Sequence, residues 1–154
     1  MVEYQRKDRY DINDLRDIMS ILRSPQGCPW DREQIHKSIR NDFIEEVYEA
    51  IEAIDLEDTE LLKEELGDVL LQIIFHCRIE EEKSCFDFDD ICDELCKKLI
   101  IRHPHVFGDI TVSDSGEVLK NWDSIKKETK GQTSYTETLT SVAKSLPALM
   151  RAQK

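Results

Sequence analysis

The segment from about residue 60 to residue 82 limits the possible folds more than any other part of the chain. Its middle, residues 69–75, places apolar side chains in nearly every direction around a helix. At about 100° per residue, Glu65 and Asp68 fall on the same apolar side as the neighbouring leucines and Val69. Such a helix belongs at the centre of a bundle or at a subunit interface, and it carries two carboxylates inward.

A second acidic cluster lies upstream, where Glu45, Glu46 and Glu49 project from one side of a predicted helix that ends near Ile54. The 15 residues from Ala50 to Glu64 suffice to finish this helix, turn at residues 55–58 and begin an antiparallel partner. The two clusters are therefore expected to face each other across a helical pair. The alternative is that both are ordinary solvated faces of an acidic protein.

A hard cation is the expected partner of these carboxylates, because burying an unpaired carboxylate costs several kcal/mol. Mg²⁺ is typically held by a few carboxylates together with waters and substrate phosphates. A di-iron site is disfavoured because only one Glu-x-x-His pair, Glu33 and His36, is present. For His76, which follows Glu65 along the same helix face, a hydrogen-bonded core position is favoured over a ligand role.

The composition narrows the class further. A chain of 154 residues with only five glycines and four prolines suits one all-α domain. Its net charge of −12 argues against partners such as nucleic acid or a membrane surface. The polar start, the lack of a long apolar run and the odd number of cysteines, five, favour a cytoplasmic protein with reduced thiols.

The periodicity predicts about five or six helices. Residues 1–10 are expected to be a flexible N-terminus, residues 11–128 the main domain, and residues 129–154 a linker and C-terminal helix. Proline is expected to end a helix near Arg102, so that residues 102–109 form a loop.

Several residues outside the acidic clusters are candidates for holding a phosphorylated substrate. Trp30 follows a turn and could stack on a base, although it could equally be an ordinary anchor for the helix that follows. Lys98, Arg102, Lys120 and Lys126 could neutralise phosphates, although a solvated surface charge is the favoured interpretation for each. No G-x-x-x-x-G-K-[ST] motif occurs, which excludes a P-loop enzyme.

Four sequence blocks occur in order: Cys28-Pro29-Trp30-Asp31, Glu45-Glu46-x-x-Glu49, Glu65-Leu66-Gly67-Asp68 and Arg102-His103-Pro104-His105-Val106-Phe107-Gly108. Asn121-Trp122 and Ser145-Leu146-Pro147-Ala148-Leu149 extend the pattern. Together these blocks resemble the MazG family of nucleoside triphosphate pyrophosphohydrolases. The resemblance covers roughly residues 10–154.

This resemblance implies an all-α MazG-like helical bundle, usually dimeric, that hydrolyses an NTP or dNTP to NMP and pyrophosphate with Mg²⁺, or Mn²⁺ as a substitute. It implies Glu46, Glu49, Glu65 and Asp68 as metal ligands, with Glu45 as an extra ligand or a base that orients water. The candidate substrate-binding residues are then Trp30, Lys98, Arg102, His105, Asn121, Trp122 and Lys126.

Two positions depart from the family pattern. Ile35 stands where the family commonly has Thr, and Ile101 stands where it often has Arg. The missing Arg predicts weaker phosphate binding. Longer members carry a second, similar domain beyond the point where this sequence ends. The alternative function is therefore a non-catalytic nucleotide-binding or dimerisation module of a two-domain MazG protein.

Overall fold

The computed structural model describes residues 4–129, 131 and 135–153, and within them every regular element is a helix. This confirms the all-α prediction. Five helices have 11 or more residues, and the others are short. The bounds are α1 Ile12–Leu22, α2 Pro29–Glu33, α3 Arg40–Asp55, α4 Thr59–Glu81, α5 Phe88–Arg102, α6 Pro104–Phe107, α7 Ser115–Thr129, α8 Tyr135–Thr140 and α9 Ala148–Ala152.

The chain divides into two compact units, residues 1–91 and 92–154, with the division inside α5. The predicted domain borders at residues 10 and 128 remain predictions. Ahead of α1, the rings of Tyr4 and Tyr10 stack 6.5 Å apart and Lys7 pairs with Asp14. No helix in the described part of the chain combines the length and the apolar character needed to cross a bilayer.

In the first unit, α1 begins with a capping box in which Asp11 accepts from the backbone of Asn13 and Asp14 while Asp14 accepts from the backbone of Asp11. After α1 the chain turns sharply at Gly27. A side chain there would collide with the carbonyl oxygens of Ile21 and Leu22, so only glycine fits. Pro29 then starts α2 at the first helical position, where its missing N–H costs nothing.

The hairpin of α3 and α4 is the centre of this unit. Helix α3 ends because Glu57 adopts a left-handed conformation, φ 55°, and the N–H of Asp58 returns to the carbonyl of Ala53. The Asp58 side chain then accepts from Glu60 and Leu61 and so caps α4. The predicted turn at residues 55–58 is therefore present.

A small core lies between α1, the segment before α3, and the C-terminal half of α4. It consists of Met19, Ile39, Ile74, Phe75 and Ile79, each 4% exposed or less. Burying such side chains contributes about 1.5–3 kcal/mol each. The core therefore stabilises the C-terminal half of α4. The N-terminal turns of α4, which carry Glu65 and Asp68, lie outside the core.

Arg23, at the end of α1, connects the elements around this core. Its guanidinium makes two hydrogen bonds to the carboxylate of Glu82, at 2.9 and 2.8 Å. It also donates to the carbonyls of Asp31 and Gln34 and lies over the ring of Phe75. Because the Arg23 side chain is 5% exposed, these partners are what make its burial tolerable. They hold α2 against α4.

The face of α3 that contacts α4 is not its most apolar face. Ala50 and Ala53 are buried, and Phe43 and Glu46 are half-buried on the same side. The larger apolar residues lie on a different side and are 39–57% exposed. This exposed stripe consists of Ile44, Val47, Tyr48, Ile51 and Ile54.

In the second unit, the prediction that residues 102–109 form a loop is wrong in one respect. Pro104 starts a helical turn, α6, instead of only ending α5, because proline is favoured at the first position of a helix. Helix α7 follows after an irregular segment. In the part expected to be a linker and C-terminal helix, residues 130, 132–134 and 154 lie outside the described residues, and α8 and α9 are separated by irregular chain.

Candidate active site

The hairpin brings three predicted carboxylates together. Glu46 and Glu49 lie one turn apart on α3, and Glu65 lies opposite them on α4. One carboxylate oxygen from each lies within 4.8 Å of the other two. Glu46 and Glu65 are half-buried and Glu49 is exposed, so the cluster opens to solvent on one side.

Burial and mutual repulsion raise the pKa of two carboxyls in this cluster. Burial raises the pKa of Glu46, and the negative charges of Asp68, Glu49 and Glu65 raise it further. Burial likewise raises the pKa of Glu65, with added repulsion from Glu49, Glu64 and Asp68. Among the described residues, no lysine or arginine forms an ion pair with Glu46, Glu49 or Glu65. Three converging oxygen donors without a cationic neighbour fit a hard divalent cation such as Mg²⁺ or Mn²⁺.

The other two predicted members of the site are less closely placed. Asp68 is half-buried one turn after Glu65, and its charge acts on both Glu46 and Glu65, but it is not part of the three-oxygen group. Glu45 is exposed and also lies outside that group. The roles predicted for Asp68 as a ligand and for Glu45 as a base that orients water remain predictions.

In the second unit, the structure gathers an aromatic and basic group. The guanidinium of Arg102 lies 5.3 Å from the centre of the Trp122 ring, and His103 meets the same ring edge-on at 4.8 Å. The ring of His105 lies 5.7 Å from His103, and its Nδ1 is enclosed without a hydrogen-bond partner. His103 was not predicted as a site residue, although its place in the Arg-His-Pro-His block pointed to it.

Lys98 and Arg102 also line a cavity of about 350 Å³, together with Lys97, Thr129 and Ile101. Of the remaining candidates, Asn121 is half-buried on α7 and Lys126 is exposed on the same helix. Trp30 belongs to the first unit, where it is 57% exposed and its ring contacts Phe75 edge-on. Assignment of these residues to a substrate remains a prediction.

The structure also shows three polar side chains linked by hydrogen bonds, an arrangement that was not predicted from the sequence. His36 bridges from the segment before α3 to His76 and Glu80 on α4. His76 and Glu80 are spaced one turn apart, which marked them as neighbours. Nothing in the sequence marks His36, 40 residues away, as their partner. The earlier preference for His76 as a hydrogen-bonded residue is consistent with this contact.

Comparison with known proteins decides the family. Residues 34–107 match the family described as the MazG nucleotide pyrophosphohydrolase domain, a range that contains both acidic clusters. The chain is 46% identical over 93% of its length to the nucleoside triphosphate pyrophosphohydrolase of Escherichia coli (strain K12). The chain contains a MazG nucleotide pyrophosphohydrolase domain.

Other MazG relatives agree. The chain is 45% identical over 93% of its length to the nucleoside triphosphate pyrophosphohydrolase/pyrophosphatase MazG of Thermotoga maritima. It is 48% identical over 94% of its length to the uncharacterized protein YabN of Bacillus subtilis (strain 168). The crystal structure of a mazG-related protein from Thermotoga maritima superposes with a TM-score of 0.62 at 25% identity, covering 75% of this chain and 99% of that one.

These MazG relatives are longer than the chain. The aligned region spans 55% of the Escherichia coli protein, 54% of the Thermotoga maritima enzyme and 29% of YabN. The chain therefore spans about half or less of the length of these curated relatives.

Proposed function

We propose that this chain is a divalent-metal-dependent nucleoside triphosphate pyrophosphohydrolase, which hydrolyses an NTP or dNTP to NMP and pyrophosphate. The observation that supports the proposal most strongly is the convergence of Glu46, Glu49 and Glu65 to within 4.8 Å on two facing helices of a MazG domain. The names of the relatives support the same reaction class.

In the proposed reaction, Glu46, Glu49 and Glu65 would hold the cation, with Asp68 as a fourth carboxylate beside them. A bound Mg²⁺ would supply positive charge that offsets the acidic cluster and would polarise the phosphate oxygens. Water attacks either the α- or the β-phosphorus, and the bond between that phosphorus and the bridging oxygen breaks. The bridging oxygen then leaves with pyrophosphate or with NMP, respectively. Glu45 is the candidate acceptor for the proton that the attacking water loses.

The basic and aromatic residues of the second unit are proposed to hold the substrate. Lys98 and Arg102, which line one cavity, would neutralise the phosphates. Trp122, already stacked by Arg102, and the exposed Trp30 offer flat surfaces on which a base could stack. His105, Asn121 and Lys126 complete the proposed substrate-binding set.

We further propose that the chain acts as a homodimer or higher homo-oligomer. The exposed stripe of α3 presents five large apolar side chains on one side of a helix, and Leu66 of α4 is 53% exposed as well. Contiguous apolar surface of this kind usually marks an interface, and a two-fold arrangement is the simplest way to cover it with a second copy.

The experiment for the enzyme proposal is a product analysis with the purified chain. With Mg²⁺, each common NTP and dNTP is incubated and the release of pyrophosphate and orthophosphate is measured separately. We expect pyrophosphate and NMP from at least one nucleotide, and loss of the activity when EDTA is added. Orthophosphate alone, or no product from any nucleotide, would contradict the proposal for this chain.

A second candidate, a non-catalytic nucleotide-binding or dimerisation module, is favoured by the length of the relatives. The chain corresponds to about half of the Escherichia coli protein, and Ile101 lines the cavity of Lys98 and Arg102 where an arginine is expected. Calorimetry distinguishes the two candidates, because the module would bind nucleotide with Mg²⁺ without releasing any product.

A further inference from the structure

His36 and His76 meet head to head. Their Nδ1 atoms are 2.7 Å apart while their ring centres are 4.9 Å apart, and the ring planes differ by only 16°. The two nitrogens therefore lie between the ring centres and point at each other. This is the geometry of an N–H···N hydrogen bond. A metal ion between two nitrogens facing head-on would instead hold them about 4 Å apart.

The chemistry of Glu80 fixes where the protons are. His36 Nε2 contacts the carboxylate of Glu80, which can only accept a hydrogen bond when ionised, so this nitrogen carries a proton. Lys83 donates to the same carboxylate at 2.6 Å and, with the bond from His36, lowers the pKa of Glu80 to about 2. One further proton then lies between the two Nδ1 atoms, and there is no room for two.

The pair lies at the end of the α3–α4 hairpin where α3 begins. The turn at residues 56–58 closes one end of the α3–α4 hairpin, and the core contacts of α4 lie on another side. His36 belongs to the segment that leads into α3, and the ring of Phe43 on α3 lies 5.6 Å from His76. Between the two ends lie Glu46, Glu49 and Glu65, whose negative charges repel each other across the hairpin.

We propose that His36 and His76 share a single proton, anchored by Glu80, and form a clasp that keeps the open end of the α3–α4 hairpin closed. A second proton taken from solvent leaves both Nδ1 atoms as donors with no acceptor between them, so the hydrogen bond is lost and the two rings separate. The clasp is therefore closed with one shared proton and opens with two. His36 and His76 are positioning residues and not catalytic ones.

The charged and titratable groups around the clasp come from three elements. Burial, and to a smaller degree His36, lowers the pKa of His76, which is consistent with a pair that resists a second proton. Arg23 of α1 binds the carbonyl of Gln34 in the segment of His36 and pairs with Glu82. Glu80 contacts the pair directly, and Lys83 and Cys85 interact with Glu80. Glu33 and Lys37 lie close to His36 in the sequence of its own segment.

The test is an NMR titration of the imidazole signals in the full chain, assigned with His36→Asn and His76→Asn. We expect the pair to titrate in two steps separated by more than about one pH unit.

Glu80→Gln, a change near the surface that preserves shape, should lower the midpoint pH of the first protonation step by about one unit, a tenfold loss of proton affinity. His76→Asn should leave His36 with a single step. Glu81→Gln, one residue away and paired with Arg78, is the matched control and should change neither step.

Either of two results would overturn the clasp. One is that His36 and His76 titrate independently, each in one step that Glu80→Gln does not move. The other is two steps that respond equally to Glu80→Gln and Glu81→Gln, because the carboxylate of Glu80 would then not anchor the shared proton.

The effect on the carboxylate cluster rests on the proposed metal-dependent function and is tested separately. At constant pH, Mn²⁺ binding to the wild-type chain, His76→Asn and Glu81→Gln is compared by EPR. We expect His76→Asn to bind Mn²⁺ several-fold more weakly and Glu81→Gln to match the wild-type chain. Failure of the wild-type chain to bind Mn²⁺ would contradict the proposed function, and the histidine titration would still decide the clasp. Equal Mn²⁺ affinity in all three would contradict the positioning role.

Discussion

Glu46 of α3 and Glu65 of α4 place carboxylate oxygens within 4.8 Å of each other while both are half-buried. Two such groups repel each other and are poorly solvated, so the folded chain holds them at a cost in free energy. The raised pKa of each carboxyl reflects that cost. A divalent cation would offset this cost, which is the arrangement expected of the proposed metal-dependent hydrolase.

The exposed stripe of α3 gives the first prediction. If a second copy covers the stripe, Ile51→Glu should dissociate the assembly, because it places a charge in an apolar interface. Ile12→Glu is the control, since Ile12 is 36% exposed at the start of α1, where a negative charge is tolerated. Light scattering should give more than 18.0 kDa for the wild-type chain and for the control, but about that mass for Ile51→Glu. A wild-type mass of 18.0 kDa at micromolar concentration would contradict the assembly.

Ile101 gives the second prediction. It is 54% exposed and lines the cavity shared by Lys98 and Arg102. Ile101→Arg should lower the KM for a nucleoside triphosphate about tenfold, because a charge-assisted hydrogen bond to phosphate contributes about 1.5–3 kcal/mol. Steady-state kinetics measure the change, with the equally exposed Ile100→Arg as the control. An unchanged KM, or the same decrease in both variants, would show that the cavity does not bind phosphate.

Glu80 gives a prediction about pH. Its carboxylate is bound by Lys83 and His36, and its pKa is lowered from 4.5 to about 2. A lowered folded-state pKa contributes stability that is fully present above the unfolded value and is lost as the pH falls through the folded value. The difference in free energy of unfolding between wild-type and Glu80→Gln should therefore be largest above pH 4.5 and shrink toward pH 2.

Urea unfolding at several pH values measures that difference. Glu60→Gln is the control, because its ion pair with Lys63 is exposed and worth only about 0–1 kcal/mol. A difference between wild-type and Glu80→Gln that stays constant from pH 6 to pH 2.5 would contradict the proposed anchoring.

Much of the hairpin could be predicted from periodicity alone. The turn at residues 55–58 and the inward side of Glu65 follow from helix geometry and from the cost of burying a carboxylate. The contact face of α3 could not be predicted in the same way. Hydrophobicity favours the stripe that includes Ile44 and Ile51, whereas the structure buries Ala50 and Ala53. Small side chains let two backbones approach closely, and that choice depends on the partner helix and not on the local pattern.

Three further features could not be predicted from the local sequence pattern. His36 reaches His76 only because the segment before α3 folds back on α4. The left-handed turn at Glu57 occurs without the glycine that usually marks it. The helical turn after His103 differs from the expected loop because proline both ends a helix and starts one.

The most direct test of the metal-dependent reaction compares two neighbouring glutamates. Glu65 is half-buried within the carboxylate cluster, whereas Glu64 is exposed and outside it. Glu65→Gln should weaken Mg²⁺ binding and reduce pyrophosphate release on the order of 100-fold or more, since a bound cation contributes several kcal/mol to such a reaction. It should leave the metal-free protein as stable as the wild-type chain or more stable, because a crowded carboxylate is removed. Glu64→Gln should change none of these quantities by more than about twofold, as expected for an exposed charge. Equal loss of pyrophosphate release in both variants, or unchanged Mg²⁺ binding and turnover in Glu65→Gln, would contradict the account.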